Sequence, residues 1–463
     1  MLSKTLGQIL VKGEKEFNLS PFAFYKIKNA YEALIKEPLI LKETDASLDV
    51  LKRQLKKELK KIYPIEYETK FHLLLSFFNP VSEDFFKIHA LKEGMDNSPL
   101  LDDIFKVGYF TSYLDEDKLK KNYKFIFDQC EPNLKITINF AKPEKNPRPK
   151  KPISPQKCQL CYDNVGLLKP EEQSFKGGLL PLKVHLHDDY FIQASPYQYV
   201  DHHIIVISDV HRPMKMDRDT FYDLLTFVEL CPRYFLGANA ELPGIGGSIL
   251  THDHYQGGQE VLPLFKAKTK QELLIGGQKV ELLDFFNNVI KIKGRDKQSL
   301  IDFASHLLTY WRNYRNPSLY LYPYKNRSPH QTFTSIARKE GEEFALYLIF
   351  RSNVTSKNYP LGVFHVHPER LFVKKESIGL IEASGVFILP PRVLLNGRKI
   401  FDKWTNKERI IGKLKDYSAF LPYFEKYHSL ETSIGKICEE ILFDTRVFKN
   451  DDDFIKALYE FKR

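Results

Sequence analysis

The stretch GGSILTHDHYQGG, residues 246–258, holds the residue types of this chain that are best suited to chemistry. If the run from Ile249 to Gln256 is extended, side chains alternate between the two faces of the strand. His252, His254 and Gln256 then share one face. Two imidazoles and one amide on a single surface fit a metal site, a phosphate-binding loop or a histidine nucleophile. A glycine-rich hairpin with two incidental histidines is the alternative without chemistry.

Phosphorus chemistry suits these residue types. A histidine here can attack phosphorus when an acceptor holds its other ring nitrogen and so fixes the tautomer. The amide of Gln256 can donate to phosphoryl oxygens, where negative charge accumulates in the transition state. Gly246, Gly247 and Ser248 can offer unhindered N–H groups to phosphate. When the leaving group is itself a phosphate, little proton transfer is needed and a general acid is dispensable.

Length and composition limit the class of protein. At 463 residues the chain can hold two or three domains. No apolar run approaches the roughly 20 residues of a membrane span, and the N-terminus lacks the pattern of a secretory signal. Five cysteines, an odd number, favour a reducing compartment. We therefore expect a cytoplasmic protein with no membrane partner.

The net charge of +10 favours anionic partners. Much of it lies in LKRQLKKELKKIY, residues 51–63, whose apolar residues recur at helical spacing. This pattern is typical of a solvated helix face, and no nucleic-acid motif accompanies it. A phosphorylated small molecule is therefore the expected partner, and nucleic acid is not.

The elements that must position the histidine-rich stretch follow from hydrophobic spacing. Residues 1–130 have helical periodicity, whereas Leu134–Phe140 alternates like a strand and leads into a Pro- and Lys-rich connector. Strand, helix and strand then lead to the stretch, with the helix at Thr220–Phe235. A second block of strands at about 328–395 precedes a helical tail. This order predicts an α+β fold that contains a duplicated α/β unit.

The expected domains are a helical N-terminal region, a first catalytic domain that contains the HxHxQ residues, and a second domain of the same kind. Their boundaries are placed at 1–130, 131–290 and 291–463.

The flanks of the stretch resemble a known family. LPGIGGSILTHDHYQGG, preceded by PRYFLGANAE, resembles the active-site region of class II UDP-glucose–hexose-1-phosphate uridylyltransferases, the galactose-1-phosphate uridylyltransferases of the histidine-triad superfamily. Other blocks match in the same order between residues 134 and 395: LKITINFAKPEKNP, CQLC, SPYQY, HRPMKMDRDTF, SPHQTFTSIAR and LGVFHVHPERLFVKKESIGLIEASGVFILPPR. The resemblance implies two histidine-triad-like units in tandem behind a helical N-terminal region.

The resemblance also implies a reaction. UDP-glucose and galactose 1-phosphate would give UDP-galactose and glucose 1-phosphate in a ping-pong transfer. His254 would attack the α-phosphorus and hold the uridylyl group, and Gln256 would bind the phosphoryl oxygens. Asn239, Gly247 and Ser248 would lie near the nucleotide phosphates.

Two segments bear on the sugar. Lys375, Ile378 and Glu382 resemble the family segment that holds the hexose. An equal alternative is that they belong to an ordinary surface helix, in which a charged pair precedes the apolar face. After the CxxC pair, members of the family typically have a basic segment of the HPAR-N-HR type. The corresponding segment of this chain, Phe175–Phe191, contains no arginine. The identity of the acceptor sugar phosphate is therefore open.

Three side chains of that divergent segment could replace the missing arginine. They are Lys183, His185 and His187.

Cys158 and Cys161 have zinc-knuckle spacing, and His211 and His252 could complete a Cys₂His₂ tetrahedron. In class I relatives a CxxC pair, a histidine about fifty residues before the motif and the first motif histidine bind zinc. The alternative is a pair of small buried residues in a reducing compartment. Zinc would be structural, with no open position for catalysis, and no organic cofactor is expected.

His365 and His367 form a second His-x-His pair. In class I relatives the corresponding pair belongs to a second, non-catalytic metal site. Further ligands are not evident in this sequence, so a packed position or one at the edge of the substrate site is the expectation.

The sequence thus predicts a nucleotidyltransferase that acts on a UDP-hexose and a hexose 1-phosphate, and, by comparison with class I relatives, a homodimer. Two other functions are compatible with it. One is a related nucleotidylyltransferase or nucleoside-diphosphate-sugar phosphorylase with a different acceptor. The other is a non-enzymatic nucleotide or RNA binder, against which the intact HxHxQ argues, because a degenerate copy should lose its nucleophile before its core.

Overall fold

The computed structural model describes residues 1–19, 21–79, 91–140, 158–162, 168–169, 174–176, 178–247, 249–325 and 328–461. Ser248, one of the expected phosphate-binding residues, lies outside the described residues.

The described α-helices are α1 (Leu2–Phe17), α2 (Pro21–Ile35), α3 (Leu48–Ile62), α4 (Tyr67–Ser76), α5 (Ser98–Phe110), α6 (Glu116–Leu119), α7 (Arg218–Leu230), α8 (Lys297–Asn313), α9 (Leu380–Ala383), α10 (Pro391–Thr405), α11 (Leu421–Tyr427), α12 (Leu430–Asp444) and α13 (Asp451–Glu460). The strands are β1 (Tyr123–Phe127), β2 (Leu134–Ile138), β3 (Leu168–Lys169), β4 (Ser174–Phe175), β5 (Leu182–His185), β6 (Asp189–Ala194), β7 (Ile204–Ser208), β8 (Phe235–Ala238), β9 (His254–Gly258), β10 (Thr269–Ile275), β11 (Gln278–Leu283), β12 (Val289–Gly294), β13 (Tyr324–Lys325), β14 (Ser328–Pro329), β15 (Gln331–Glu340), β16 (Glu343–Ser352) and β17 (Val386–Leu389).

A ten-stranded antiparallel sheet forms the centre of the molecule, in the order β10-β11-β12-β16-β15-β8-β9-β7-β6-β5. Strands β5 to β9 form one half of this sheet, and β10, β11, β12, β15 and β16 form the other. From its outer edge inward, each half places its strands in the same order, which is first, second, third, fifth and fourth along the chain. A helix connects the third and fourth strand of each half, α7 in one and α8 in the other. The halves join where β15 pairs with β8, at Ser335 and Ala238. The expected α+β fold with tandem units is confirmed.

The two faces of this sheet are covered differently. On one face, here called the helix face, residues of α7 such as Leu224 and Val228 are buried with Leu236 and Tyr255. On the opposite face, here called the site face, Phe235 is buried with residues of a three-stranded sheet, β1-β2-β17, and of the C-terminal helices. Since side chains alternate along each strand, His254 and Gln256 belong to the site face and Tyr255 to the helix face.

The helical N-terminal region is confirmed, and it has a core of its own. Leu6, Leu55 and Phe71, from three of its helices, are among the residues that bury one another there. The basic stretch at residues 51–63 is largely helix α3, which begins after a Ser47 cap and turns its leucines inward. No helix in the described part of the chain is long and apolar enough to cross a membrane.

The expected helix at Thr220–Phe235 is present as α7, which a capping box between Asp217 and Thr220 starts. It ends at Leu230, because Pro232 cannot continue it and the chain turns into β8.

The domain boundaries proposed from the sequence fall inside structural units. The one after residue 130 lies in the turn between β1 and β2, and the one after residue 290 lies within β12, which pairs with β16. The repeated strand order supports a division near residue 268, before β10, and the end of the N-terminal helices at Leu119 supports one near residue 121. We propose these divisions instead.

Candidate active site

His254 opens strand β9 and is held in one tautomer. Its Nδ1 lies 2.8 Å from the carbonyl oxygen of His252, and because a carbonyl can only accept, Nδ1 carries the proton. The lone pair of the neutral ring is therefore on Nε2. The side chain is 4% exposed, and burial lowers the pKa of the imidazole to about 4. A neutral, oriented imidazole of this kind can act as a nucleophile.

The segment before β9 differs from the expected strand. The sequence predicts an extended run from Ile249, but pairing begins only at His254. Asp253, just before β9, bonds to the end of β7 and to the loop that follows it: its carbonyl accepts from the amide of Ser208 at 3.0 Å, and its amide donates to the carbonyl of Arg212 at 2.7 Å. Gln256, two residues along β9, faces the same side as His254 and is partly exposed.

Asn239 directly follows β8, and the register Gly237–Gln256 places it beside the start of β9. Its Oδ1 accepts from the amide of Leu380 at 2.7 Å, so it connects the first half of the sheet to α9 of the second. Gly247 packs on it: a Cβ at Gly247 would lie 3.3 Å from Nδ2 of Asn239. The structure thus brings Asn239 and the glycine loop together.

Four potential metal ligands meet beside this loop. The ligand atoms of Cys158, Cys161, His211 and His252 all lie within 4.8 Å of one another. Sγ of Cys161 is 3.1 Å from Nδ1 of His211 and 3.6 Å from Nδ1 of His252. Nε2 of His252 donates to the carbonyl of Ser208 at 2.9 Å, which leaves Nδ1 as the ligand atom. The cluster is of a kind that could hold a metal ion.

The predicted hexose residues lie in the second half. Glu382 is at α9, and its Oε1 is 2.7 Å from Nζ of Lys374. Lys374 is nearly buried, whereas the neighbouring Lys375, which the resemblance indicates, is exposed. Gly379 lets Glu382 approach Asn239, since a Cβ there would lie 3.4 Å from one carboxylate oxygen and 3.2 Å from Oδ1 of Asn239.

Sequence reasoning missed Arg351, the second-to-last residue of β16, which lies on the site face. Its side chain is buried, and Nη2 donates to the carbonyl of Ile378 at 2.8 Å, so it holds the segment that carries Glu382. Nη1 is buried without a hydrogen-bond partner among the described residues. Burial lowers the pKa of Arg351 to about 10, although the nearby Glu382 opposes that effect. An arginine within an otherwise apolar strand, LYLIFRS, was the available signal.

The second His-x-His pair is divided between two environments. His367 pairs with Asp444 at 3.1 Å and stacks on Tyr359 with ring centroids 4.5 Å apart. His365 is buried, with Nδ1 3.3 Å from the carbonyl of Val366, and burial lowers its pKa. Within the described residues neither belongs to a cluster of metal ligands.

In the described part of the divergent segment Phe175–Phe191, the three side chains that could replace the missing arginine pair with carboxylates elsewhere. Lys183 and His185 are exposed on edge strand β5, where they pair with Asp209 and Asp189. His187 pairs with the buried Asp223 of α7, on the helix face.

Comparison with known proteins places the chain among named relatives. No family model matches it. The galactose-1-phosphate uridylyltransferase of Fusobacterium nucleatum subsp. nucleatum is 36% identical over 383 residues, which cover 76% of this chain and 75% of the relative. That of Ligilactobacillus salivarius is 31% identical, with 82% and 80% covered. The protein of the same name from Clostridium acetobutylicum is 40% identical over 68% of this chain, and the match spans only 64% of that relative's length.

Among solved structures, yeast Ap4A phosphorylase Apa2 is 15% identical with a TM-score of 0.39, covering 69% of this chain and 94% of that one.

The named relatives are nucleotidyltransferases, and this chain belongs to the same class of protein. Within that class, the chain belongs to the galactose-1-phosphate uridylyltransferase family. The family resemblance of the sequence motifs is therefore confirmed.

Proposed function

We propose that this chain transfers a uridylyl group from UDP-glucose to galactose 1-phosphate through a covalent uridylyl-His254. The observation that carries the proposal is the 2.8 Å hydrogen bond from Nδ1 of His254 to the carbonyl of His252. It fixes the tautomer in which Nε2 has the lone pair that a nucleophile needs.

The transfer proceeds in two displacements at one phosphorus. First, Nε2 of His254 attacks the α-phosphorus of UDP-glucose, a P–N bond forms, and the P–O bond to the β-phosphate breaks as glucose 1-phosphate leaves with the electron pair. Second, a phosphate oxygen of galactose 1-phosphate attacks the same phosphorus and the P–N bond breaks, which returns the lone pair to Nε2. Because both leaving groups are stable without protonation, no general acid is needed.

Donors around His254 supply the electrostatic stabilisation. Gln256 shares its face and can donate its amide to the phosphoryl oxygens, where charge develops. The backbone of the loop that contains Gly247 and Ser248 offers further N–H groups to the nucleotide phosphates. Asn239 supplies a polar contact for the nucleotide phosphates, and Glu382, which approaches it at Gly379, supplies one for the hexose. The ion pair between Lys374 and Glu382 favours Lys374 over Lys375 as the lysine of the hexose site.

We also propose that the Cys158, Cys161, His211 and His252 cluster holds a structural zinc ion. Two thiolates and two imidazoles form a donor set that zinc prefers in closed tetrahedral sites, and the tautomer of His252 fits it. When bound, the ion would tie the CxxC turn and the loop after β7 to the residue two positions before the nucleophile. It would have no position open for substrate.

The test is intact mass spectrometry of the protein mixed with UDP-glucose in the absence of an acceptor. We expect a mass gain of one uridylyl group and released glucose 1-phosphate. His254→Asn should form no adduct, whereas His185→Asn, which changes an exposed histidine, should behave as the wild type. An adduct that persists in His254→Asn would refute the assignment of the nucleophile, and no adduct in the wild type would refute the transfer itself.

The acceptor is tested by discharge of the adduct. Galactose 1-phosphate should remove the uridylyl group and yield UDP-galactose. If only another sugar phosphate or inorganic phosphate removes it, the chain is a related transferase or phosphorylase. The homodimer and the cytoplasmic location stay predictions, which sedimentation and cell fractionation test.

A further inference from the structure

A buried carboxylate lies on the helix face, across the sheet from His254. Asp223 of α7 is 0% exposed and accepts three hydrogen bonds. Two come from His187, through its amide at 2.8 Å and its Nδ1 at 2.6 Å, and one comes from the hydroxyl of Tyr255 at 2.8 Å. A carboxylate removed from water is tolerated only when such donors satisfy it. Asp223 therefore holds both partners in place.

Tyr255 connects that carboxylate to the transfer site. It lies between His254 and Gln256 in β9, and its ring points to the opposite face. The ring is 1% exposed and stacks on Tyr190, with centroids 5.6 Å apart. The Tyr255 hydroxyl therefore anchors, from below, the strand that carries the two site residues.

The same network reaches the peptide that orients His254. The hydroxyl of Tyr190 and Nε of Arg212 both donate to Oδ2 of Asp253 at 3.3 Å. The amide of Asp253 belongs to the peptide unit whose carbonyl, that of His252, accepts from His254. Because a peptide unit is planar, the bond from this amide to the carbonyl of Arg212 also sets the direction of that carbonyl.

We propose that Asp223 and Tyr255 are positioning residues for the transfer reaction. They touch no substrate. Through β9 and the His252–Asp253 peptide they fix the orientation of the His254 ring, and so the direction in which Nε2 approaches the phosphorus. The inference rests on the proposed function. It gives the divergent segment a role, since His187 helps to hold Asp223 and so supports the nucleophile from behind the sheet.

Tyr255→Phe tests the inference, because it keeps the ring and removes only the hydroxyl that bonds Asp223. The rate of uridylyl-enzyme formation in a single turnover should fall about tenfold. A misplacement of reacting groups by about 1 Å can cost about 10²-fold, and the loss of one supporting hydrogen bond should displace Nε2 by less. The KM for UDP-glucose should change less than about twofold, since the contacts with substrate remain. Asp223→Asn should act in the same direction, and the double variant should be no worse than the poorer single one.

The matched control is Tyr347→Phe. Tyr347 is equally buried and donates to Glu340 at 2.7 Å, but it lies in β16 of the other half of the sheet. The Tyr347→Phe variant should have a lower melting temperature than the wild type but the same rate of uridylyl-enzyme formation. A wild-type rate in folded Tyr255→Phe, or a loss confined to KM, would overturn the positioning role alone. Absence of the adduct from the wild-type protein would instead overturn the proposed function, and this inference with it.

Discussion

The two glycines of the phosphate loop have different steric roles. A Cβ at Gly246 would lie 1.9 Å from the carbonyl oxygen of Ala240, which no real contact permits, whereas one at Gly247 would lie 3.3 Å from Nδ2 of Asn239. We expect Gly246→Ala to displace the loop, to destabilise the protein by about 1–3 kcal/mol and to slow uridylyl transfer. Gly247→Ala should leave stability close to that of the wild type. Denaturant unfolding of both variants decides this, and equal destabilisation would contradict the steric account.

Gln256 acts through its amide donor. Gln256→Glu keeps the shape of the side chain but replaces the donor by a carboxylate that repels phosphoryl oxygens. The rate of adduct formation should fall by about 10²-fold or more, the usual effect of removing a transition-state donor. Single-turnover mass spectrometry measures it. A variant that reacts at the wild-type rate would show that Gln256 does not face the reacting phosphate.

Site residues differ in how well sequence predicts them. His254 and Gln256 lie within one short motif, so their spacing alone indicates a shared surface. The spacing of Cys158 and Cys161 indicates a metal site, whereas His211 and His252 were joined to it by comparison with class I relatives. Arg351 and Lys374 gain their roles only because β15 pairs with β8 and brings the second half against Asn239. That pairing joins residues distant in sequence, and no local pattern specifies it.

Among the elements, α3 and α7 were predictable because helical spacing and caps are local signals. The start of β9 was predicted too early for a physical reason. The backbone of Asp253 bonds to Ser208 at the end of β7 and to Arg212 in the loop after it, and the spacing of residues 249–256 does not reveal these partners.

The cluster of Cys158, Cys161, His211 and His252 joins three separate segments of the chain, so the effect of the proposed zinc ion belongs to the elements and not to one residue. Removal of zinc by a chelator should slow adduct formation and lower the melting temperature, because His252 supplies the carbonyl that orients His254. Cys161→Ser should lose bound zinc by elemental analysis. Cys231→Ser is the control, since this cysteine is equally buried but lies outside the cluster. Full activity in protein shown to be free of metal would contradict the structural role.

The N-terminal helices should be sensitive to acid. Burial, reinforced by the nearby charge of Lys56, lowers the pKa of His72 in α4 from 6.5 to about 3. The folded region therefore keeps this imidazole neutral, while the unfolded chain takes up a proton below pH 6.5. Stability from this residue is present above pH 6.5 and falls as the pH drops towards 3, by up to about 1.4 kcal/mol per pH unit.

Hydrogen exchange of the N-terminal helices at pH 7.5 and 4.5 measures this effect. His72→Gln should reduce the difference between the two conditions, whereas His185→Gln, at an exposed site, should not. An unchanged difference in His72→Gln would assign the acid sensitivity to other groups.

At the scale of the whole molecule, neither half of the sheet is self-sufficient. β8 pairs with β15, β2 pairs in parallel with β17, and Asn239 bonds to the amide of Leu380. A side chain of α9 even fills the space above Gly237, where a Cβ would lie 2.3 Å from Leu380. A first half alone would expose the edge of β8 and the site face around Phe235 to water, which favours aggregation.

We therefore expect residues 1–267, expressed alone, to form no uridylyl adduct although they contain His254, Gln256 and the metal cluster. Co-expression with residues 268–463 should restore adduct formation, with one uridylyl group per pair, since β16, the counterpart of β9 in the second half, contains no histidine. Mass spectrometry of the purified fragments measures both outcomes. An adduct on residues 1–267 alone, at a rate close to that of the intact chain, would show that the second half is not needed to position His254.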